Sequence, residues 1–319
     1  MTGKHLTVFA LVGALGVTGC ADGLGPEGNA SQEDRDEILA LLDESGFFAD
    51  EFGTEGASDG GQAAGLMLSA AAGQAEVEAP RVWGRRRGFP VGRLVTVDVD
   101  PRNGTALVSK EVFFEGKFLL DISPDDQLNP TEKPLEEKLV QYASFRRFPV
   151  EAADAQGRRW RLVEISPAAW VMTEESRRTV ELTRVAVWVN GELSLDLSDP
   201  SEMLKVDGRV PTLHPEDEVT VRAWVENELD NGNVPDTFVF LHLFHATQIS
   251  RAWIRWPMER VATDLDTYYE LAWHARRTGR ARIAVDAIDA ETFTTESEDD
   301  YRANIWGVPY RIVPVDEGP

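Results

Sequence analysis

From Arg93 onward, apolar and polar residues alternate with a period of two, which predicts strands rather than helices. Val95, Val97 and Val99 are interleaved with Thr96 and Asp98, and Asn103-Gly104 supplies a tight hairpin turn before Ala106 and Val108. The alternation continues through Val112, Phe114, Phe118 and Leu120 as one long strand, with Gly116 as a bulge or bend. A loop around Pro124 to Pro134 leads to a strand carrying Leu139, Gln141, Ala143 and Phe145. Gln156-Gly157 then turns the chain into Arg159 to Ser166. A second set begins near Arg178, where Val185, Val187 and Val189 run into Asn190-Gly191 and return through Leu193, Leu195 and Leu197. After an Asp- and Pro-rich loop, strand-length runs recur at 219–225, 238–244, 252–256, 267–273, 281–288 and 305–312. Their spacing is that of a β-sandwich.

Ahead of the strands the period changes. Ile38, Leu41 and Leu42 recur at helical spacing over 33–44, with Ser31 as a cap and Asp34, Asp36 and Glu37 suited to the positive end of the helix dipole. Phe47, Phe48 and Phe52 follow directly; three exposed phenylalanines would be unfavourable, so this segment is expected to dock on the strands. Residues 53–80, Gly-rich and then Ala-rich, are read as a flexible connection. The chain thus divides into an α+β domain with a curved antiparallel sheet over 33–175 and an antiparallel sandwich over 176–319, the pattern lapsing between Ile165 and Val180 where Pro167 and a charged stretch stand. The fold class expected is mainly β.

Two resemblances attach to these segments. The helix followed by long strands ending in Gly157-Arg158-Arg159-Trp160-Arg161-Leu162-Val163-Glu164-Ile165-Ser166 resembles the cone-shaped fold of the nuclear-transport-factor and polyketide-cyclase superfamily over 33–168. Enzymes of that superfamily carry Asp or His inside the cone, whereas this segment has no histidine. Residues 178–316, with the late strand from Gly279 and the terminal Trp306-Gly307-Val308-Pro309-Tyr310, resemble an immunoglobulin-like or fibronectin-type module of bacterial surface proteins.

At the N-terminus, Lys4 and His5 precede an apolar run from Leu6 to Val17, of secretory length and too short to span a bilayer. It ends in Val17-Thr18-Gly19-Cys20, which resembles the lipobox of a bacterial lipoprotein. The resemblance implies a signal peptide over 1–19 cleaved before Cys20, a diacylglycerol thioether on the Cys20 sulfur, and a new N-terminus acylated by a chain such as palmitate. Three acyl chains on one residue suffice for stable anchoring. Ala21 in place of an aspartate leans toward the outer membrane where there are two membranes. Residues 20–32 read as a flexible tether, rich in glycine and small polar residues.

Composition narrows the chemistry. Cys20 is the only cysteine, which excludes disulfides, a thiolate nucleophile in the folded part and cysteine-ligated metals. At 319 residues and 42% hydrophobic content, packing alone can hold a core. A net charge of -23 argues against nucleic acid as a partner. Arginines group at Arg85-Arg86-Arg87, Arg146-Arg147, Arg158-Arg159 and Arg276-Arg277; they read chiefly as partners of the abundant carboxylates, the first group also suiting lipid head groups or an acidic partner.

No motif for a catalytic elbow, a zinc helix or a dinucleotide loop is present. His242 and His245 are the best metal candidates by type, but an offset of three on a strand sends them to opposite faces; His214 and His274 stand alone. Asp264 and Asp266, or Glu298, Asp299 and Asp300, offer oxygen ligands without the spacing of a calcium loop. Glu164 and Glu181 form a nominal carboxylate pair, and nine tryptophans could line a glycan or peptide groove. Lipidation at Cys20 is the one site assigned; no catalytic, cofactor or metal residue is. The functional expectation is a lipid-anchored cell-envelope protein acting as a binding or scaffold module, bound to the membrane through Cys20, with an envelope protein or glycan as partner. A lipid-anchored envelope enzyme with a pocket in the curved sheet is the alternative.

Overall fold

The computed structural model describes residues 32–48, 82–121, 129–229, 236–246, 251–276, 279–295, 297 and 301–315. Within them the protein is mainly β, with antiparallel sheets and a helix at the N-terminal side. Helix α1 (Gln32–Glu44) is followed by β1 (Val82–Asp100), β2 (Thr105–Asp121), β3 (Thr131–Arg147), β4 (Trp160–Ile165) and β5 (Ala168–Met172). Then come β6 (Val180–Val189), β7 (Glu192–Leu197), β8 (Leu204–Lys205), β9 (Thr212–Leu213), β10 (Glu218–Asn227), β11 (Thr237–Ala246) and β12 (Arg251–Pro257). The chain ends in β13 (Glu259–Ala262), β14 (Thr267–His274), β15 (Gly279–Asp289), the short helix α2 (Glu291–Thr294) and β16 (Ala303–Ile312).

These strands form two open sheets. One has eleven strands on the path β1-β2-β3-β5-β16-β15-β11-β12, with β4 on β3, β8 on β4, and β9 joined to β16 by a short parallel pair. The other has five in the order β13-β14-β10-β6-β7. Both Asn-Gly turns form as expected. Gly104 has φ 62°, and Asn190 and Gly191 have φ 52° and 84°, the left-handed pair a type I′ hairpin requires. The strands expected at 219–225, 238–244, 252–256, 267–273, 281–288 and 305–312 are β10, β11, β12, β14, β15 and β16.

Three expectations are corrected. Strand β1 starts at Val82, eleven residues before the alternation becomes clear, because Trp83, Arg85 and Arg87 are its inward positions and two of the three are charged. Strand β3 starts at Thr131, so Pro134 lies inside it. There β3 pairs only with β2, and its other edge is occupied by β5 and β4 only from Glu137 onward. A missing N–H is tolerated on that open edge. The boundary expected at 175/176 does not interrupt the large sheet: β5 is bonded through Leu139 and Val140 of β3 on one side and through Ile305 and Trp306 of β16 on the other.

Alternation decides what each strand buries. On β15, Ile283, Val285 and Ala287 face the five-stranded sheet and join Val185, Val187, Val219 and Val221 in a sandwich core that reaches from Ile38 to Ile312. Ala284, Asp286 and Ile288 point the other way, into the concave side of the curled large sheet. Helix α1 covers the lower end of that sheet. Ile38 and Leu42 are buried, Glu37 accepts the backbone N–H groups of Arg159 and Trp160 at 2.6 and 2.7 Å, and the Trp160 indole donates to Asp34 at 2.9 Å. Phe47 and Phe48 dock as expected. Their carbonyls accept from Gln141 at 3.3 Å and Lys110 at 2.5 Å, which are cross-strand neighbours on β3 and β2. Phe52 and Ser31 lie outside the described residues.

Strands β1 and β2 approach each other closely at Gly116. Opposite it, β1 bulges between Arg87 and Gly92. A Cβ on Gly116 would stand 2.9 Å from the Arg87 Cα and closer still to the Arg86 carbonyl oxygen. Backbone cannot step aside as a side chain tip can, so Gly116→Ala is expected to cost about 1–3 kcal/mol. Equilibrium urea unfolding reads this directly, and an unchanged midpoint would refute the close approach.

Candidate functional site

The concave side of the large sheet holds a connected set of ionisable side chains drawn from strands far apart in sequence. Arg85 of β1 reaches Asp286 of β15 with both terminal nitrogens, Nη2 donating to Oδ1 at 2.8 Å and Nη1 to Oδ2. Its Nε donates to the Tyr301 hydroxyl at 2.6 Å, and that hydroxyl donates to Glu137 of β3. Glu137 also accepts from Arg87 Nε at 2.7 Å, and His242 Nε2 of β11 lies 2.9 Å from Asp286 Oδ2. All six side chains are buried.

Aromatic rings enclose this network. Trp83 packs against Phe118, Phe240 and Phe293 with centroids 5.4, 4.9 and 5.3 Å away, and Phe118 stacks on Tyr301 at 5.0 Å. The Arg85 guanidinium lies 5.6 Å from the Trp83 centroid and 5.5 Å from that of Tyr301. At the seam between β1 and β12, Arg255 stands 3.6 Å over the Trp83 ring and donates to the Trp83 carbonyl at 2.9 Å. The curl is therefore joined at this seam by side chains.

Charge states follow from these contacts. Burial pushes the Asp286 carboxyl up, but the Arg85 guanidinium and the bond from His242 outweigh it and hold it at about 2. Burial lowers the affinity of Arg85 for its proton, and the Asp286, Tyr301 and Glu137 oxygens more than restore it, leaving it well above the usual value. Burial likewise pushes the Tyr301 hydroxyl well up, so it remains a donor. The consequence for stability has a definite sign. A depressed folded-state carboxyl contributes stability that is present above its unfolded value and lost as pH falls through the folded one. For Asp286 this is roughly 2 kcal/mol, lost between about pH 4 and about pH 2. Unfolding free energy measured across that range should fall less steeply in Asp286→Asn; an identical slope would show that Asp286 is not the titrating group.

The residues singled out in the sequence are dispersed. His242 faces this interior, while the neighbouring Leu241 and Leu243 face the sandwich core; the side chain of His245 is outside the described residues. His214 and His274 are exposed, near Asp217 and the Glu216 carbonyl. Asp264 is exposed and Asp266 closes the β13–β14 turn with Thr263 while accepting from the Trp224 indole. Glu164 lies on the large sheet and Glu181 on the small one, so they form no carboxylate pair across one strand register. Cys20 and Glu298, Asp299 and Asp300 lie outside the described residues. Among the described residues no group of three or more His, Asp or Glu is placed to hold a metal ion. Of the first arginine group, Arg85 and Arg87 point inward to carboxylates and Arg86 pairs with Glu132 at 2.7 Å on the outside.

The tryptophans are dispersed, with Trp256 and Trp273 half-buried against the sandwich core and the side chain of Trp253 outside the described residues. Trp83, Trp160, Trp170 and Trp306 are buried. Trp188 and Trp224 lie half-buried on the outer face of the small sheet with Tyr268. There Arg222 stands 4.6 Å over Trp188 and 4.8 Å over Tyr268, and Arg184 4.4 Å over Trp224. Guanidinium groups thus occupy ring faces that a stacking sugar would need. Asp196 and Glu270 hold those arginines in turn.

The buried network was not anticipated from the sequence. Its signal is a charged residue at an inward position of an apolar run: Asp286 within Ala281 to Ile288, and Glu137 two residues before Leu139. Comparison of the chain with protein-family models, with curated proteins and with solved structures gives no match.

Proposed function

We propose that the chain is a lipid-anchored extracytoplasmic protein of the bacterial cell envelope, held by Cys20 and acting as a binding or scaffold module for an envelope partner. The observation that carries this reading is the apolar run closing on Val17-Thr18-Gly19-Cys20, with Cys20 the only cysteine of 319 residues. The interior supports it as well. The concave side is packed with aromatic rings, and its carboxylates Glu137 and Asp286 are committed to arginines, which is the behaviour of a scaffold core. The alternative, an envelope enzyme with a pocket in the curved sheet, would need a substrate to enter the concave side, where Asp286 and His242 are buried. Among the described residues no helix is long and apolar enough to cross a membrane.

The test is the mass of the N-terminal peptide from cells expressing the full chain. Diacylglycerol and acyl mass on Cys20, abolished in Cys20→Ala together with membrane recovery, is the expected result. Equal processing and equal membrane recovery in Cys20→Ala, or after inhibition of lipoprotein signal peptidase, would overturn it.

A further inference from the structure

We infer that the bulged segment of β1, residues 88–94, rests on the membrane surface to which the N-terminal lipid holds the chain, with Phe89 and Val91 at the headgroup–acyl boundary. This rests on the anchoring reading above. The first observation is exposure: Phe89 is 94% exposed, Val91 58% and Leu94 57%, three large apolar residues within six positions of one strand. Isolated exposed aliphatics are ordinary, but a contiguous group containing a fully exposed phenylalanine marks a contact surface.

The bulge explains how they come to be outside. The pairing of β1 with β2 shifts between Arg87 and Pro90 and again between Pro90 and Gly92, so the segment departs from the alternation that buries Trp83, Arg85 and Arg87. β1 is also the end strand of its sheet, and Pro90 offers no N–H to a strand added along that edge. Side-chain contact with an apolar phase is favoured there over strand addition by a protein.

Two further features select a bilayer. Arg86, Arg93 and Lys117 flank the segment with side chains about half exposed; Arg86 and Lys117 meet Glu132 and Arg93 stands 3.9 Å from Asp43, and side chains of this length can turn from such surface carboxylates to lipid phosphate. The anchor also has the reach. Gln32, where α1 begins, is 32 − 20 = 12 residues from Cys20, at most about 40 Å of chain. Asp43, near the other end of α1, lies 3.9 Å from Arg93, so the helix ends beside the segment about 20 Å from its start. A lipid on Cys20 therefore places the membrane within range of Phe89.

The experiment uses the full lipidated chain carrying Phe89→Cys. The thioether occupies the Cys20 sulfur, so the introduced thiol is the only free one and takes a single environment-sensitive fluorophore. The protein is reconstituted in phosphatidylethanolamine–phosphatidylglycerol vesicles, with nitroxide-labelled lipid as membrane quencher and iodide as aqueous quencher. Leu265→Cys, at the 97% exposed tip of the β13–β14 turn on the other sheet, is the comparison. Quenching by nitroxide lipid several-fold stronger at position 89 than at 265, with the reverse order for iodide, is expected. Equal iodide quenching at both positions would overturn the inference while leaving the anchor standing. Shielding of position 89 from both quenchers would mean that protein covers the strand, and would overturn it too. An N-terminal peptide without lipid mass removes the anchor itself, and this inference with it.

Discussion

Replacing Arg85 by alanine is expected to lower the unfolding free energy by about 3–5 kcal/mol, the range for removing one partner of a buried ion pair. The guanidinium neutralises Asp286 through two bonds and supports the Tyr301 hydroxyl that bonds Glu137. Without it, a fully buried carboxylate keeps only His242 among these partners, and the Tyr301–Glu137 bond loses its neighbour. Arg85→Lys keeps the charge but not the two-pronged geometry and should fall between wild type and alanine. The decisive comparison is Arg85→Met combined with Asp286→Leu. Removing both charges should cost less than Arg85→Ala alone, because the main penalty is the orphaned charge rather than the lost attraction. Denaturant unfolding of the three variants measures this. A loss under about 1 kcal/mol for Arg85→Ala would place the pair in solvent-like surroundings.

The second large effect concerns cutting the chain. A fragment of residues 176–319 is expected to be aggregated or molten, although it carries eleven of the sixteen strands among the described residues. It would lose β5, the hydrogen-bonded neighbour of β16, and with β1 to β3 the side chains of Trp83, Phe118, Val112 and Leu139 that pack on the inward face of β15, β16 and β11. Phe240, Ile288, Ile305 and Ala284 would become exposed, and Asp286 would lose Arg85. An uncovered apolar sheet face with a free strand edge is an aggregation template. Thermal unfolding and amide dispersion of the fragment decide the point. A cooperative transition with dispersed amides would show that the sandwich half supports itself.

Much of the fold was legible in the chain because strand alternation and Asn-Gly turns are local. Val95, Val97 and Val99 and Val185, Val187 and Val189 declare their pleat without help from distant residues, and the two glycines at 104 and 191 adopt the positive φ that their turns require. Helix α1 was equally local, since Ile38 and Leu42 repeat at one turn. Where inward positions are charged, the local signal inverts. Trp83-Gly84-Arg85-Arg86-Arg87 reads as a polar stretch, yet its odd positions face the core, which only the carboxylates of β3 and β15 make tolerable.

What the sequence by itself determined about this protein is the mainly antiparallel β architecture, the docking helix, the turn positions and the single cysteine that a lipid anchor would use. Tertiary structure alone decided that β5 joins the two halves into one sheet, that Arg85, Glu137, His242, Asp286 and Tyr301 meet, and that Phe89 stays outside. The physical reason is range. Alternation and turn preference act over two to four residues, whereas pairing Arg85 with Asp286 joins positions 201 residues apart. Such a pair forms only where sheet order brings the strands together, and nothing in either strand's own pattern specifies that order.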